Sequence, residues 1–206
     1  LKHRKPDAVT WPAPSAFDRM LMADGYLVEA EAKKLVVTWP HHDACTFQRV
    51  FDAGSLYARA DLVHDLGGGV VDLYEIKGST SLKSSSGQDH VDDACFQTLV
   101  AERSGASVRS VYIMHVNGEY SRGGAIDPAA LLVIDNVTSE VRARSAGINE
   151  EIEAAIALVG VDLIDEQGCT CRRIGKASHC ASFAYFNPDI PKNSAYLLPR
   201  ISRKRL

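Results

Sequence analysis

The amino-acid sequence predicts an α/β (α+β) protein in which a mixed β-sheet is flanked by helices. Strand-like apolar runs recur between residues 45 and 137, and segments with helical spacing precede, interrupt and follow them. Elements in this order pack as helices against a sheet. The 206 residues are enough for one well-buried domain, so we expect a core at 1–160 and, in the same domain, an irregular cysteine-containing appendage at 161–206.

The composition excludes several classes of protein. Hydrophobic residues make up 46% and charged residues 24%, which excludes a disordered or collagen-like chain. No apolar run reaches the ~20 residues that cross a bilayer, and no apolar signal segment follows the basic start. These features predict a cytoplasmic protein with no membrane partner. The five cysteines, an odd number, then argue against a disulfide framework.

Nucleic acid would have to bind a local basic patch, because the net charge of −3 gives no overall attraction to a polyanion. Basic residues are concentrated at both ends, in 1–6 and in 199–206. The second cluster supplies the candidate nucleic-acid-binding residues Arg200, Arg203, Lys204 and Arg205. Solvated terminal tails are an equally good interpretation of both clusters.

The first half of the chain is predicted to contain helix and then strands. Apolar residues recur among charges in 15–36, which predicts either one helix or two helices that are separated at Gly25. Strands are predicted in 45–66, with a turn inside that range, and in 70–78. The polar stretch 84–89 is predicted to be a loop.

The second half alternates helix and strand. Acidic residues at its start and a glycine at its end predict a helix in 89–105. The apolar runs 108–116 and 129–137 are predicted strands. Apolar residues at helical spacing predict a last helix in 138–159.

Charged residues occur where the interior of a hairpin is expected. If the glycines 67–69 form its loop, Leu66 pairs with Val70 across an antiparallel ladder. In that register Asp61 lies directly opposite Glu75, with the two Cβ atoms about 5 Å apart on one face. We therefore expect the two carboxylates to meet.

Lys77 shares that face because side-chain direction alternates along a strand. Two carboxylates this close raise each other's pKa unless a cation lies between them. Magnesium prefers oxygen ligands and suits that position, and the main-chain carbonyl of Ile76 could supply another oxygen. Lys77 would then orient or help deprotonate an attacking water and offset charge on a phosphate. A simple salt bridge between Lys77 and Asp61 or Glu75 is the alternative.

The order Asp61, then Glu75, Ile76 and Lys77, then a helix with Gln97, resembles the PD-(D/E)xK nuclease superfamily. Within it, the chain is similar to RecB-like exonucleases, in particular to a bacterial family related to the CRISPR-associated RecB-type nucleases. The motifs that carry this resemblance are "YEIKGSTS", "HVDDACFQ" and "CTCRRIGKASHCASFAYFNPDIP". RecB-like enzymes often have a tyrosine four residues after the glutamine, and this chain has alanine there.

The resemblance implies a restriction-endonuclease-like fold for the nuclease core and a Mg²⁺- or Mn²⁺-dependent DNA nuclease activity. It implies Asp61, Glu75, Lys77 and Gln97 as catalytic residues, and Asp61, Glu75, Ile76 and Glu29 as metal-binding residues. Because RecB-like sites cut threaded strands, the implied activity is that of an exonuclease and the implied partner is DNA that is single-stranded or has free ends.

A cluster of thiols near the C-terminus suggests a second metal site. Cys169, Cys171 and Cys180 lie within 12 residues, next to His179, and thiolates favour zinc or an iron-sulfur cluster. The resemblance implies a 4Fe-4S cluster whose fourth cysteine lies near the N-terminus. No cysteine precedes Cys45, so it also implies a ligand upstream of this chain, which would be a truncated fragment. A zinc site completed by Cys45 or His179, and three unliganded thiols, are the alternatives.

Another class of function has to be weighed against a nuclease. A catalytically inactive module with a nuclease fold could bind nucleic acid or join a complex. The presence of Asp61, Glu75 and Lys77 together argues against that interpretation. A metal-thiolate protein without a nuclease role would leave the three charged residues unexplained.

Overall fold

The computed structural model describes residues 5–85, 88–161, 163, 165, 170–173, 179–191 and 193–198. The chain divides into two compact units, one formed by Ala16–Val159 and the other by Leu1–Ser15 with Gly160–Leu206. The expected boundary at residue 160 is close to this division, but the first 15 residues group with the C-terminal segment. No helix in the described ranges is long and apolar enough to cross a membrane.

The larger unit is a five-stranded mixed sheet with helices on both faces. Its elements are α1 (Ala16–Val37), β1 (Cys45–Asp52), β2 (Tyr57–Gly67), β3 (Val70–Lys77), β4 (Ser84–Ser85), β5 (Gln88–Asp89), α2 (His90–Arg103), β6 (Ser107–Val116), α3 (Pro128–Leu131), β7 (Leu132–Asn136) and α4 (Thr138–Gly160). The strand order is β1-β2-β3-β6-β7, and β3 with β6 is the parallel pair. The predicted mixed sheet flanked by helices is confirmed. The predicted loop at 84–89 is wrong in one respect, because β4 and β5 pair as a short ribbon.

Two apolar cores cover the two faces of the sheet. On one face, Cys95 of α2 and Val141 of α4 are fully buried in a cluster with β2, β3 and β6. On the other, Ala32 and Val36 of α1 pack with Tyr74 of β3. Residues of β3 two positions apart share a face. The residues that follow Tyr74 therefore alternate between the α2 side and the α1 side.

The smaller unit contains short helical turns. These are Pro6–Ala8, Thr170–Arg173, α5 (Phe183–Phe186) and Ala195–Leu197. His179 stacks on Phe183 with ring centroids 3.5 Å apart, and the edge of Tyr196 contacts both rings. The Tyr196 hydroxyl also donates a hydrogen bond to the main-chain oxygen of Arg172. Aromatic contacts therefore join α5 to the turn at Ala195–Leu197.

The hairpin of β2 and β3 has the predicted register along the four pairs that end at Leu62 and Tyr74. The predicted pairing of Leu66 with Val70 is wrong, because Gly67 pairs with Val70 and Leu66 is an extra, bulged residue. The loop is thus one residue shorter than expected. The bulge offsets that difference, so the register beyond it is the one predicted.

Replacing Gly69 by alanine is expected to lower the free energy of unfolding by about 1–2 kcal/mol, because Gly69 has a φ of 80° that L-residues adopt at a steric cost. Gly25 is the matched control. It lies inside α1, which is continuous through it, so the structure has one helix where the sequence left one or two open. Neither site has an atom within 4 Å of an added Cβ. Gly25→Ala should therefore stabilise the protein by about 0.5–1 kcal/mol. Urea unfolding measures both changes, and equal effects would contradict the argument.

Candidate metal and catalytic site

Asp61 lies where β2 separates from β3. The ladder between these strands ends at Leu62 and Tyr74, although both strands continue. Beyond that point the Asp61 Oδ2 atom accepts a hydrogen bond of 2.9 Å from the main-chain N–H of Ile76. The Asp61 carboxylate therefore replaces a main-chain acceptor and fills the opening between the strands.

Gln48 on β1 explains why the Asp61 side chain turns toward β3. Among the described residues, Gln48 is the non-glycine residue with a positive φ, 57°. Phe47 and Arg49 pair with β2, whereas Gln48 and Asp61 are not a ladder pair. Ala60 and Leu62 pack in the cores of opposite faces, so the normal alternation of β2 is broken at Asp61. The Gln48 Nε2 atom then donates to Asp61 Oδ1 at 3.2 Å.

Glu75 and Lys77 lie two residues apart on β3 and both contact α2. The Lys77 ammonium lies 2.8 Å from Glu75 Oε1 and 2.7 Å from Asp93 Oδ2 of α2. The Gln97 side chain, one helical turn after Asp93, donates to Glu75 Oε2 at 2.5 Å. The structure thus brings together Glu75, Lys77 and Gln97 of the predicted site and adds Asp93.

The charges of the site perturb one another. Burial raises the pKa of Asp61, and the negative charge of Glu29 adds to that effect. Burial also raises the pKa of Glu75, with repulsion from Asp61 as the next cause. Burial lowers the pKa of Lys77, but the negative charges of Glu75 and Asp93 have the larger effect. The pKa of Lys77 is therefore raised. The negative charge of Asp61 therefore acts on Glu75, although these two residues are not a ladder pair.

Glu29 of α1 faces the same opening. It lines a cleft of 220 Å³ together with Asp61, Ile76 and Tyr26. Its carboxylate also forms an ion pair of 2.7 Å with Lys33. The structure therefore places Glu29 beside Asp61, on the α1 side of the opening.

A larger cleft of 620 Å³ begins at Lys77 and extends past Gly78, Lys83 and His90. His90 is buried, with 7% of its surface exposed. Its Nδ1 atom accepts a hydrogen bond from the main-chain N–H of Lys83. Burial lowers the pKa of His90, and the positive charges of Lys77 and Lys83 lower it further. A neutral imidazole therefore holds the segment after β3 against α2.

The donor chemistry of the site fits Mg²⁺ or Mn²⁺. Glu75 and Asp93 both pair with Lys77, and Glu29 repels Asp61, so the site is rich in carboxylate oxygens, which are the ligands these ions prefer. In the described ranges, no group of three or more His, Cys, Asp or Glu side chains is arranged to hold a metal. The oxygens of Asp61 and Glu75 accept hydrogen bonds or an ion pair from protein groups. An ion would have to displace some of these donors.

Several predicted site residues lie outside the described residues. These are Cys169 and the basic residues Arg200, Arg203, Lys204 and Arg205. Of the other two cysteines in the proposed cluster, Cys171 is partly exposed and Cys180 is exposed. The iron-sulfur or zinc cluster therefore stays a prediction. Cys95 is fully buried in the apolar core.

Sequence reasoning missed Gln48 and Asp93. Asp93 and Gln97 are four residues apart, a spacing that places two side chains on one face of a helix. That spacing, applied to the helix that follows the Glu75 and Lys77 pair, could have identified Asp93. No comparable signal exists for Gln48, whose position depends on a local left-handed backbone.

Comparison of the chain with protein-family models, with curated proteins and with solved structures found no match.

Proposed function

We propose that this chain is a metal-dependent DNA nuclease with a restriction-endonuclease-like core, acting as an exonuclease on single-stranded or free DNA ends. The observation that carries the proposal is the 2.8 Å ion pair of Lys77 with Glu75 on either side of Ile76, the residue whose N–H donates to the Asp61 carboxylate. A structural salt bridge accounts for one carboxylate beside Lys77. It does not account for a second buried carboxylate that repels the first.

The protein groups have distinct roles in this proposal. Asp61 and Glu75 would hold Mg²⁺ or Mn²⁺, with the Ile76 carbonyl and Glu29 as further oxygen donors. The bound ion supplies Lewis-acid chemistry for hydrolysis of a phosphodiester bond. Lys77 would orient the attacking water and offset negative charge that develops on the phosphate.

Gln97 would act through Glu75. Its 2.5 Å hydrogen bond to Oε2 fixes the orientation of the Glu75 carboxylate. Hydrogen bonds of this kind to a metal-binding carboxylate are a common means of orienting it. The position of α2 against β3 supports this role, because Gln97 approaches from the helix and needs no rearrangement to reach Glu75.

Cleavage of labelled DNA tests the proposal directly. We expect the protein to shorten linear single-stranded DNA in Mg²⁺ or Mn²⁺, and to stop when EDTA removes the metal. Circular single-stranded DNA, which has no ends, should be resistant if the activity is exonucleolytic. Duplex DNA and single-stranded RNA of the same sequence define the substrate. Absence of cleavage in both metals, or cleavage that EDTA does not affect, would contradict the proposal.

The second candidate function is an inactive module that binds nucleic acid. The observation that favours this candidate is that protein donors already occupy the oxygens of Asp61 and Glu75. Such a module would bind labelled DNA in a mobility-shift experiment but would not cut it in either metal.

A further inference from the structure

Lys77 has two carboxylate partners, and only one of them belongs to the predicted metal site. Glu75 lies at 2.8 Å and Asp93 at 2.7 Å from its ammonium group. The Glu75 oxygens are the ones that a metal ion would take in the proposed function. Asp93 then becomes the partner that remains for Lys77.

The contact between α2 and β3 has matched spacings. Asp93 and Gln97 are four residues apart, which is about 6 Å along a helix. Glu75 and Lys77 are two residues apart, which is about 6.6 Å along a strand. Asp93 therefore reaches Lys77 while Gln97 reaches Glu75. One face of α2 thus holds both β3 side chains of the site.

The neighbouring acidic residues of α2 have other partners. Arg144 of α4 lies 2.8 Å from both Asp89 and Asp92. Asp89 also caps α2 by accepting hydrogen bonds from its first N–H groups. Successive helical residues point about 100° apart, so Asp92 faces Arg144 while Asp93 faces Lys77. The two adjacent aspartates therefore provide a matched pair for experiment.

We propose that Asp93 is a positioning residue for Lys77, and that it keeps the Lys77 ammonium in the site when Glu75 is engaged with metal. This inference rests on the nuclease function proposed above. The ion pair of Asp93 with Lys77 contributes little to folding, because 60% of the Asp93 side chain is exposed and exposed ion pairs add little stability. A change at Asp93 should thus affect the reaction more than the fold.

Kinetics of three variants test this role with the single-stranded DNA of the cleavage assay. Asp93→Asn should lower kcat roughly tenfold or more, since a misplaced catalytic group loses rate, and should leave KM within about twofold. Asp93→Glu, which restores the carboxylate, should recover most of the rate. Asp92→Asn makes the same change of charge one residue away and should retain the kcat of the unaltered protein.

Modification of Lys77 in protein that is supplied with Mg²⁺ but with no DNA gives a readout that does not depend on activity. An amine-acetylating reagent followed by mass spectrometry should modify Lys77 several-fold faster in Asp93→Asn than in Asp92→Asn. Equal kcat values for these two variants, or equal modification of Lys77, would overturn the role of Asp93. Failure of the unaltered protein to cut DNA would instead overturn the proposed function, and the role of Asp93 in it, whatever the modification shows.

Discussion

Replacing Lys77 by alanine is expected to lower the rate of DNA cleavage by at least about 100-fold while the protein stays folded and still binds DNA. The variant loses a positive charge that acts on the phosphate in the transition state, which affects kcat more than substrate binding. Glu75 keeps Gln97 as a partner in this variant. The burial of Glu75 raises its pKa and so favours the protonated carboxyl group. The fold should therefore tolerate the change.

Cleavage rates, a mobility shift and circular dichroism of the same preparation separate these effects. Arg49→Ala is a suitable control, because it removes a cation from an ion pair with Asp65 elsewhere on the sheet. Undiminished cleavage by Lys77→Ala would mean that the lysine is part of a structural salt bridge and not of a catalytic site.

Replacing Asp61 by asparagine is expected to abolish metal-dependent cleavage and yet to stabilise the metal-free protein. The amide oxygen can still accept from the Ile76 N–H, and the amide nitrogen can donate to a reoriented Gln48 side chain. What is lost is a buried charge that repels Glu75. Removing it should raise the free energy of unfolding by about 1 kcal/mol at neutral pH.

The pH dependence of this gain follows from the raised pKa of Asp61. Its folded-state pKa lies above the unfolded value, so the folded protein binds the proton more tightly. Stability is thus lost as pH rises from about 4, the ordinary carboxyl range, through the folded-state pKa. Asp61→Asn removes this loss, and its advantage should be larger at neutral pH than at about pH 4.

Urea unfolding in EDTA at both pH values measures the gain. Addition of Mg²⁺ should stabilise the unaltered protein, by about 2.7 kcal/mol at 100 times the dissociation constant, and should not stabilise Asp61→Asn. Asp72→Asn is the matched control, since Asp72 is buried but is bound by Arg109 through two hydrogen bonds. That variant should be destabilised. A destabilised Asp61→Asn would contradict the assignment of Asp61 as a strained, functional carboxylate.

Most of the fold could be predicted because each element has its own periodic pattern. The exceptions involve local backbone choices. Gly25 has the propensity of a helix breaker, but its cost of about 1 kcal/mol is small beside the burial of Ala32 and Val36 further along α1. In the hairpin, a shorter turn and a bulge at Leu66 compensate for each other. The sequence pattern is the same for a three-residue loop and for a two-residue loop with a bulge.

The sequence pointed to the charged strand residues of the candidate site but not to the residues that contact them. Asp61 and Glu75 could be identified because the register beyond the bulge is the one that the sequence predicts. Asp93 could not be distinguished from Asp92 by residue type, since acidic residues are favoured at any helix start. The spacing of four residues to Gln97 is the available sequence signal, and the packing of α2 between β3 and α4 assigns Asp93 to Lys77 and Asp92 to Arg144.

The hydrogen bond from Ile76 to Asp61 has an evolutionary consequence. Because the Asp61 side chain completes the sheet where the ladder ends, selection for folding would retain a side chain that accepts this bond even in a descendant without activity. Asparagine would satisfy that requirement, and alanine would not. The ammonium group of Lys77 has no comparable task in the sheet. In a lineage that lost the activity, position 61 would stay restricted to residues that accept this bond while position 77 would vary freely, so the residue at position 77 is the better indicator of function among relatives.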